Sequence, residues 1–373
     1  MIDEVADALK RKEYKTAARL LKQLLKQEPN NPWVRLYLGR LYEETSKLEA
    51  AEDNYRQLLK STTNPKIMSQ ARQGLGRLEA IEQQRRQQAL AQATADPSSK
   101  ELGVFVLEAL SPEVKQTAAQ KFAQVMQLDP YSARLQLPSR GWRLYRTGAV
   151  GELEFYASSL RQAAIPCFCV ALADIRKINV FSVNYFSEVS YEGATVVCHN
   201  FQEQLGSLSF NWSEVTQRVE GLLPLFEEVV DLNVRRKLQR KKKTLDYAQF
   251  CDLHLSSRNS IIRLSDRHYQ FQQGVALASL QSNSHFKGLK GNFLEPGTTR
   301  SKWNSLLDFL NRKLPQLSVW SDFTTFANTA IDYPDLLGHL PSHMNLSRLE
   351  QTPWDSAFQL YSGLVFLKNG LDY

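Results

Sequence analysis

Three groups of residues in this 373-residue chain have types that could carry chemistry. The first is thiol and imidazole: Cys167 and Cys169 two apart, Cys198 beside His199, and Cys251 three residues before His254. A structural zinc site needs four converging ligands, usually with CxxC-type spacing. On strands, Cys167 and Cys169 share one face while Cys251 and His254 fall on opposite faces. Small buried cysteines in a sheet account for this pattern, so no metal site is expected. The six histidines form no HExxH pair.

The second group would bind phosphate or attack a carbonyl. The chain has no GxxxxGK[ST], no GxGxxG between a strand and a helix, and no GxSxG elbow. Gly288 to Gly291 is a loop signal only. No Ser/His/Asp or Cys/His set stands out, so neither a catalytic residue nor a cofactor is expected, and the chain does not read as an enzyme.

The third group is cationic. Arg235, Arg236, Lys237, Arg240, Lys241, Lys242 and Lys243 form a run without an acid, and these seven equal the whole formal net charge of +7. The positive charge is therefore a local device. As a linker such a run self-repels and extends. Its alternative reading is a contact for a polyanion, either an anionic membrane surface or nucleic acid. Nucleic acid ranks lower, because no aromatic residue interleaves the run and no DNA- or RNA-reading motif accompanies it.

The elements that position these groups begin with a repeat. Pro29, Pro65, Pro97 and Pro130 punctuate the first third at a period of about 34 residues, the mark of stacked helix–turn–helix units. From Pro32, Leu38-Gly39, Tyr42, Ala51, Tyr55 and Leu58 place small residues where two helices cross and large ones in the groove between them. Tyr14, Ala17, Leu21 and Leu24 repeat this one unit earlier, and Leu75-Gly76 starts it again, with a second helix expected at 83–95. A fourth unit, with Ala118 and Phe122, needs LGVFVLEAL (102–110) as its first helix, yet that segment reads equally as a strand. The pattern resembles tetratricopeptide (TPR) repeats over roughly residues 1–80, and more faintly over 100–130.

That resemblance implies a protein-binding scaffold whose ligand lies on the concave face of the first helices. Carried over by position, it nominates Trp33, Leu36, Arg40, Glu43 and Glu44 in one unit and Gln73 and Arg77 in the next. TPR domains that clamp acidic chaperone tails place Lys and Asn where this chain has Ile2 and Ala6, so that mode is not expected here. The Gln-rich helices leading into strand-rich units also resemble TPR proteins of cyanobacteria.

Beyond Tyr131 the texture becomes mixed. Strands are expected at 142–146, 166–172, 180–189, 194–198 and 206–210, and helices at 152–164 and 213–230. After the basic run come strands at 250–255 and 261–271, a helix from Thr298 or Thr299 to Lys313, and a last helix opened by Thr352-Pro353. The expected fold is α+β and multidomain: an all-α TPR-like solenoid (1–130), an α+β domain (131–233), a basic linker (234–244), a smaller α+β domain (245–320) and a helical segment (321–373). No apolar run reaches the ~18 residues of a membrane span. The acidic start of the chain gives no secretory leader, and the few cysteines suit reduced thiols in the cytoplasm, including a place peripheral to a membrane. The expected role is a non-enzymatic adaptor with one or more protein partners.

Overall fold

The computed structural model describes residues 1–232, 238–275, 298–344, 346, 351–368 and 370. They divide into two units, Met1–Gln92 and Ala93–Tyr373.

The first unit is helical: α1 (Ile2–Lys10), α2 (Tyr14–Gln27), α3 (Pro32–Glu44), α4 (Leu48–Ser61) and α5 (Pro65–Ala93). The repeat is visible in its punctuation. Asn31 before Pro32 and Asn64 before Pro65 start α3 and α5 alike, each side chain accepting a backbone N–H two residues on at 2.9 and 3.0 Å. Inside each hairpin the chain turns on a left-handed residue, Lys12 (φ 61°) and its repeat counterpart Ser46 (φ 59°). One core joins α1, α2 and α3 through Val5, Leu21, Leu24 and Val34; another joins α3, α4 and α5 through Leu36, Tyr55, Leu58 and Ile67. The separate helix expected at 83–95 does not exist. With no glycine or proline between Gly76 and Ala95 to stop it, α5 runs on as one 29-residue helix.

The second unit contains two sheets. In the smaller, β1 (Leu102–Glu108) lies between β2 (Trp142–Ala149) and β3 (Cys167–Ala171), all antiparallel. Phe105 and Leu107 face α6 (Pro112–Met126), α7 (Pro130–Gln136) and α8 (Val150–Gln162), while Val104 and Val106 face a second core. Burial on both faces explains why this strand has no alternation in sequence. It also removes the fourth repeat and the expected boundary at 130: α6 packs on a sheet, not on a solenoid.

The larger sheet has seven strands in the order β10-β7-β8-β9-β4-β5-β6. They are β4 (Asn179–Val189), β5 (Gly193–His199), β6 (Leu205–Asn211), β7 (Gln217–Leu232), β8 (Leu238–Leu255), β9 (Ser260–Ser265) and β10 (Val319–Trp320). Strands from both expected α+β domains share this one sheet, so the proposed division at 234–244 does not separate two cores. α10 (Thr299–Lys313) covers one face through Trp303, Leu306 and Phe309. α11 (Phe323–Ala330) and α13 (Pro353–Lys368), with the short α9 (Leu172–Arg176) and α12 (Pro334–Gly338), fill the core shared by the two sheets. From Ala357 to Phe366 every residue of α13 is buried. Among the described residues no helix is long and apolar enough to cross a membrane.

The helix expected at 213–230 is strand β7, preceded by one 3-10 turn at Trp212–Glu214. Val215, Val219 and Leu223 recur every four residues, a spacing that returns to one face of a helix and also of a strand. Gly221 and Pro224 inside the segment decide for the strand. Gly221 is also a close approach, since a Cβ there would meet Phe358 of α13 at 2.4 Å.

Candidate protein-interaction face

The first unit is locked by one tyrosine. Tyr55 of α4 is fully buried, with one edge of its ring against Gly39 of α3 and the other against Gly74 of α5. A Cβ on either glycine would come within 2.6 Å of the ring. Gly76, the glycine expected at this crossing, meets nothing within 4 Å. The Tyr55 hydroxyl donates to Glu43 Oε2 at 2.9 Å, and the Arg77 guanidinium grips the same carboxylate with Nε 2.6 Å from Oε1 and Nη2 2.9 Å from Oε2. Burial and the Glu43 charge raise the phenol well above its ordinary pKa, so it remains a donor.

This junction sorts the expected contact residues. Leu36 is fully buried in the α3–α4–α5 core and cannot touch a partner; its nomination is corrected by the burial of that flank of α3. Glu43 and Arg77 are engaged with each other across two repeats. Gln73 is exposed on α5. Trp33, Arg40 and Glu44 lie on the flank of α3 between its two cores, at i, i+7 and i+11.

Tyr37 completes that stripe, and the sequence reading missed it because it is not a repeat-defining position. Its ring lies 6.4 Å from that of Trp33 at an interplanar angle of 28°. Arg40 sits over Tyr37 at 5.8 Å, and the exposed Lys66, at the start of α5, sits over Trp33 at 5.8 Å. Glu44 is occupied by the Tyr14 hydroxyl at 3.0 Å. Among the described residues neither Arg40 nor Lys66 has an ion-pair partner. The face therefore offers a half-exposed aromatic pair flanked by two cations.

The basic run lies elsewhere. Arg240, Lys241, Lys242 and Lys243 belong to β8, whereas Arg235, Arg236 and Lys237 lie outside the described residues. The expected linker is thus, in its second half, one strand of a ribbon. Beyond the bulge between Leu225 and Phe226, β7 and β8 pair only with each other among the described residues. The register sets Glu227 opposite Lys243 and Glu228 opposite Lys242, and Arg240 Nη1 lies 3.8 Å from Glu228 Oε2. The acids absent from the run itself arrive from the neighbouring strand. Charged residues also protect such open edges from further pairing.

The thiols and imidazoles occupy the second unit. All four cysteines are buried and free. Burial pushes Cys167 and Cys251 up to about 12 and Cys198 to about 11, and raises Cys169 as well, so each remains a thiol. Among the described residues no three His, Cys, Asp or Glu side chains converge as a metal site requires.

His254, Ser362 and Asp252 do converge, but in the wrong order for catalysis. Ser362 donates to Asp252 Oδ2 at 2.6 Å, and His254 Nε2 is 3.0 Å from Ser362 Oγ. The serine lies between base and acid, and its only proton goes to the carboxylate, so His254 must donate to it. A neutral ring then accepts at Nδ1, which assigns the amide nitrogen of Gln217 to the contact 3.1 Å away. Arg263 clamps Asp252 with two bonds of 2.9 and 2.7 Å and donates to the Ser342 carbonyl. All four side chains are buried, tying β8 and β9 to α13. Burial lowers the imidazole to about 4, against the pull of Asp252.

His199, His268 and His343 line one cavity of about 490 Å³. Asn184 Oδ1 lies 2.9 Å from both His199 Nδ1 and His268 Nε2, and an amide oxygen only accepts, so both rings donate to it. Spacing in sequence gave no sign of this group, because β4, β5 and the turn after β9 bring it together.

Residues 8–67 match the tetratricopeptide repeat family. No curated protein and no solved structure matches the chain.

Proposed function

From a tetratricopeptide repeat at residues 8–67, a protein–protein interaction module, we propose a non-enzymatic adaptor that holds a partner protein on the exposed stripe of α3. The observation that carries this reading is the stripe itself: Trp33 and Tyr37 half-exposed and adjacent, with Arg40 and Lys66 over them. An aromatic pair with apolar faces and unpaired cations at its rim has the composition of an interface centre. Glu43 and Arg77 serve it by fixing α3 against α5.

The test is a photo-crosslinking amino acid placed at Arg40 in one variant and at Gln23, exposed on α2, in another. Crosslinks to a defined protein from position 40 and none from position 23 support the reading. Capture of the same partner by Trp33→Ala/Tyr37→Ala/Arg40→Glu, at wild-type level and with the fold intact, removes it.

A second reading is polyanion binding by the β7–β8 ribbon. The exposure of Arg240, Lys241 and Lys243 favours it, and the carboxylates of Glu227 and Glu228 beside them rank it second.

A further inference from the structure

The last residue of α13, Lys368, ends inside a box of aromatic rings. Its Nζ lies 5.0 Å from the ring centre of Trp142, 5.6 Å from Phe168 and 5.7 Å from Trp320, and it forms an ion pair with Glu108. The walls come from separate elements: Glu108 ends β1, Trp142 begins β2, Phe168 lies on β3 and Trp320 on β10. The rings brace one another. Trp142 meets Phe168 at 4.9 Å and 68°, Trp320 at 5.0 Å and 50°, and Tyr361 at 5.6 Å and 64°.

Three inclined rings with a carboxylate form an environment selective for a cation with an apolar coat. Each ring presents its negative face, and the carboxylate supplies the counter-charge. A cavity of about 250 Å³ shares three of these walls, Glu108, Trp142 and Trp320, and is lined also by Asp322 and Tyr361; Phe168 and Lys368 do not line it. No Lys or Arg is among its described lining residues. Arg140, reaching Asp322 at 3.0 Å, is itself 81% exposed and stands outside. Anions are disfavoured there, and strongly hydrated metal ions gain little from ring faces. The Lys368–Glu108 pair is only partly buried, at 29% and 24% exposure, so the side chain can leave without unfolding the helix behind it.

We propose that Trp142, Phe168, Trp320 and Glu108 form a binding site for an alkylammonium group, methylated or quaternary, which Lys368 occupies in the absence of ligand. The ligand head displaces Lys368, takes its place against the rings, and extends into the cavity beside Asp322 and Tyr361. The same chemistry is carried by a small quaternary ammonium ion such as choline and by a methylated lysine side chain of a protein.

The experiment titrates the full chain with choline and, separately, with a short peptide bearing trimethyl-lysine. In the wild type, NMR of the lysine ε-methylene groups should show one resonance shifted upfield by the three rings, moving to the ordinary lysine position as ligand saturates the site. By tryptophan fluorescence, Lys368→Met should bind at least about tenfold more tightly than the wild type, and adding Trp320→Ala should weaken binding by a similar factor. The ligand that binds more tightly identifies the source. If neither ligand saturates the wild type or Lys368→Met in the millimolar range, or if Trp320→Ala leaves affinity unchanged, Lys368 is only a latch for α13 and the proposal fails. Should Lys368→Met not fold, the wild-type NMR titration decides alone.

Discussion

Tyr55 of α4 touches two further helices, α3 and α5, and offers the sharpest test at the scale of single residues. Gly39→Leu forces a side chain into a ring already closer than contact distance, and should cost roughly 1–3 kcal/mol or more. Gly74→Ala should also destabilise, because its Cβ meets the same ring from the other side, whereas Gly76→Ala should be neutral or slightly stabilising in mid-helix. Thermal melts of the isolated 1–92 unit, followed by circular dichroism, would separate them; equal stability of the Gly74 and Gly76 variants would contradict the arrangement. Tyr55→Phe should cost about 1 kcal/mol, since Glu43 loses one donor but keeps Arg77. Gly39 and Tyr55 were legible from sequence because their sizes belong to the repeat. Gly74 was not, since Leu75-Gly76 imitates the motif two residues later. Leu36 was misplaced because position within a repeat says which way a side chain points, but not whether the next helix covers it.

At the scale of elements, the ribbon and α5 show where sequence patterns are ambiguous. The four-residue apolar spacing of 215–223 suits either regular structure, and only Gly221 and Pro224 discriminate. The basic run looked like a free linker because its carboxylate neighbours, Glu227 and Glu228, lie on the preceding strand and become adjacent only through pairing. Replacing Arg240, Lys241 and Lys243 by Gln should leave partner capture by the first unit unchanged. It should also abolish any salt-sensitive retention on duplex DNA or heparin. The slope of log affinity against log salt is the measure, near −0.9 for each phosphate contact on DNA. Persistence of tight DNA binding in that variant would place the contact elsewhere. Loss of partner capture would raise the ribbon above the α3 stripe.

Across the whole molecule, acid acts on the second unit through its buried histidines. His254 has its folded pKa depressed to about 4 from 6.5, so the unfolded chain binds the extra proton between those values and stability falls as pH is lowered through that window. A shift of this size corresponds to about 3 kcal/mol. His343, also near 4 through burial and Arg263, acts in the same direction but is partly solvated, so its share is smaller. Asp266, raised by burial, opposes them. Urea titrations of residues 93–373 at pH 7.5 and pH 5 should show the midpoint falling, and His254→Gln should flatten the difference. A midpoint independent of pH would mean that the folded and unfolded states bind the same protons over this range, so that burial does not depress His254. None of this network could be read from sequence, because Asp252 and Arg263 meet only through the pairing of β8 with β9, and Ser362 reaches Asp252 and His254 only through the packing of α13 on the larger sheet.

The burial of α13 also sets an order in time. Residues 353–368 leave the ribosome after every strand they cover, and domains generally fold from the N-terminus as synthesis proceeds. The first unit is a compact unit from Met1 to Gln92, so it can form while the rest is still being made. The second unit must wait with Val219, Leu223 and Phe250 uncovered until the last helix arrives. On the proposed reading of the α3 stripe, a nascent chain would thus present that stripe before the second core has closed, so that capture of a protein could precede the closing of that core.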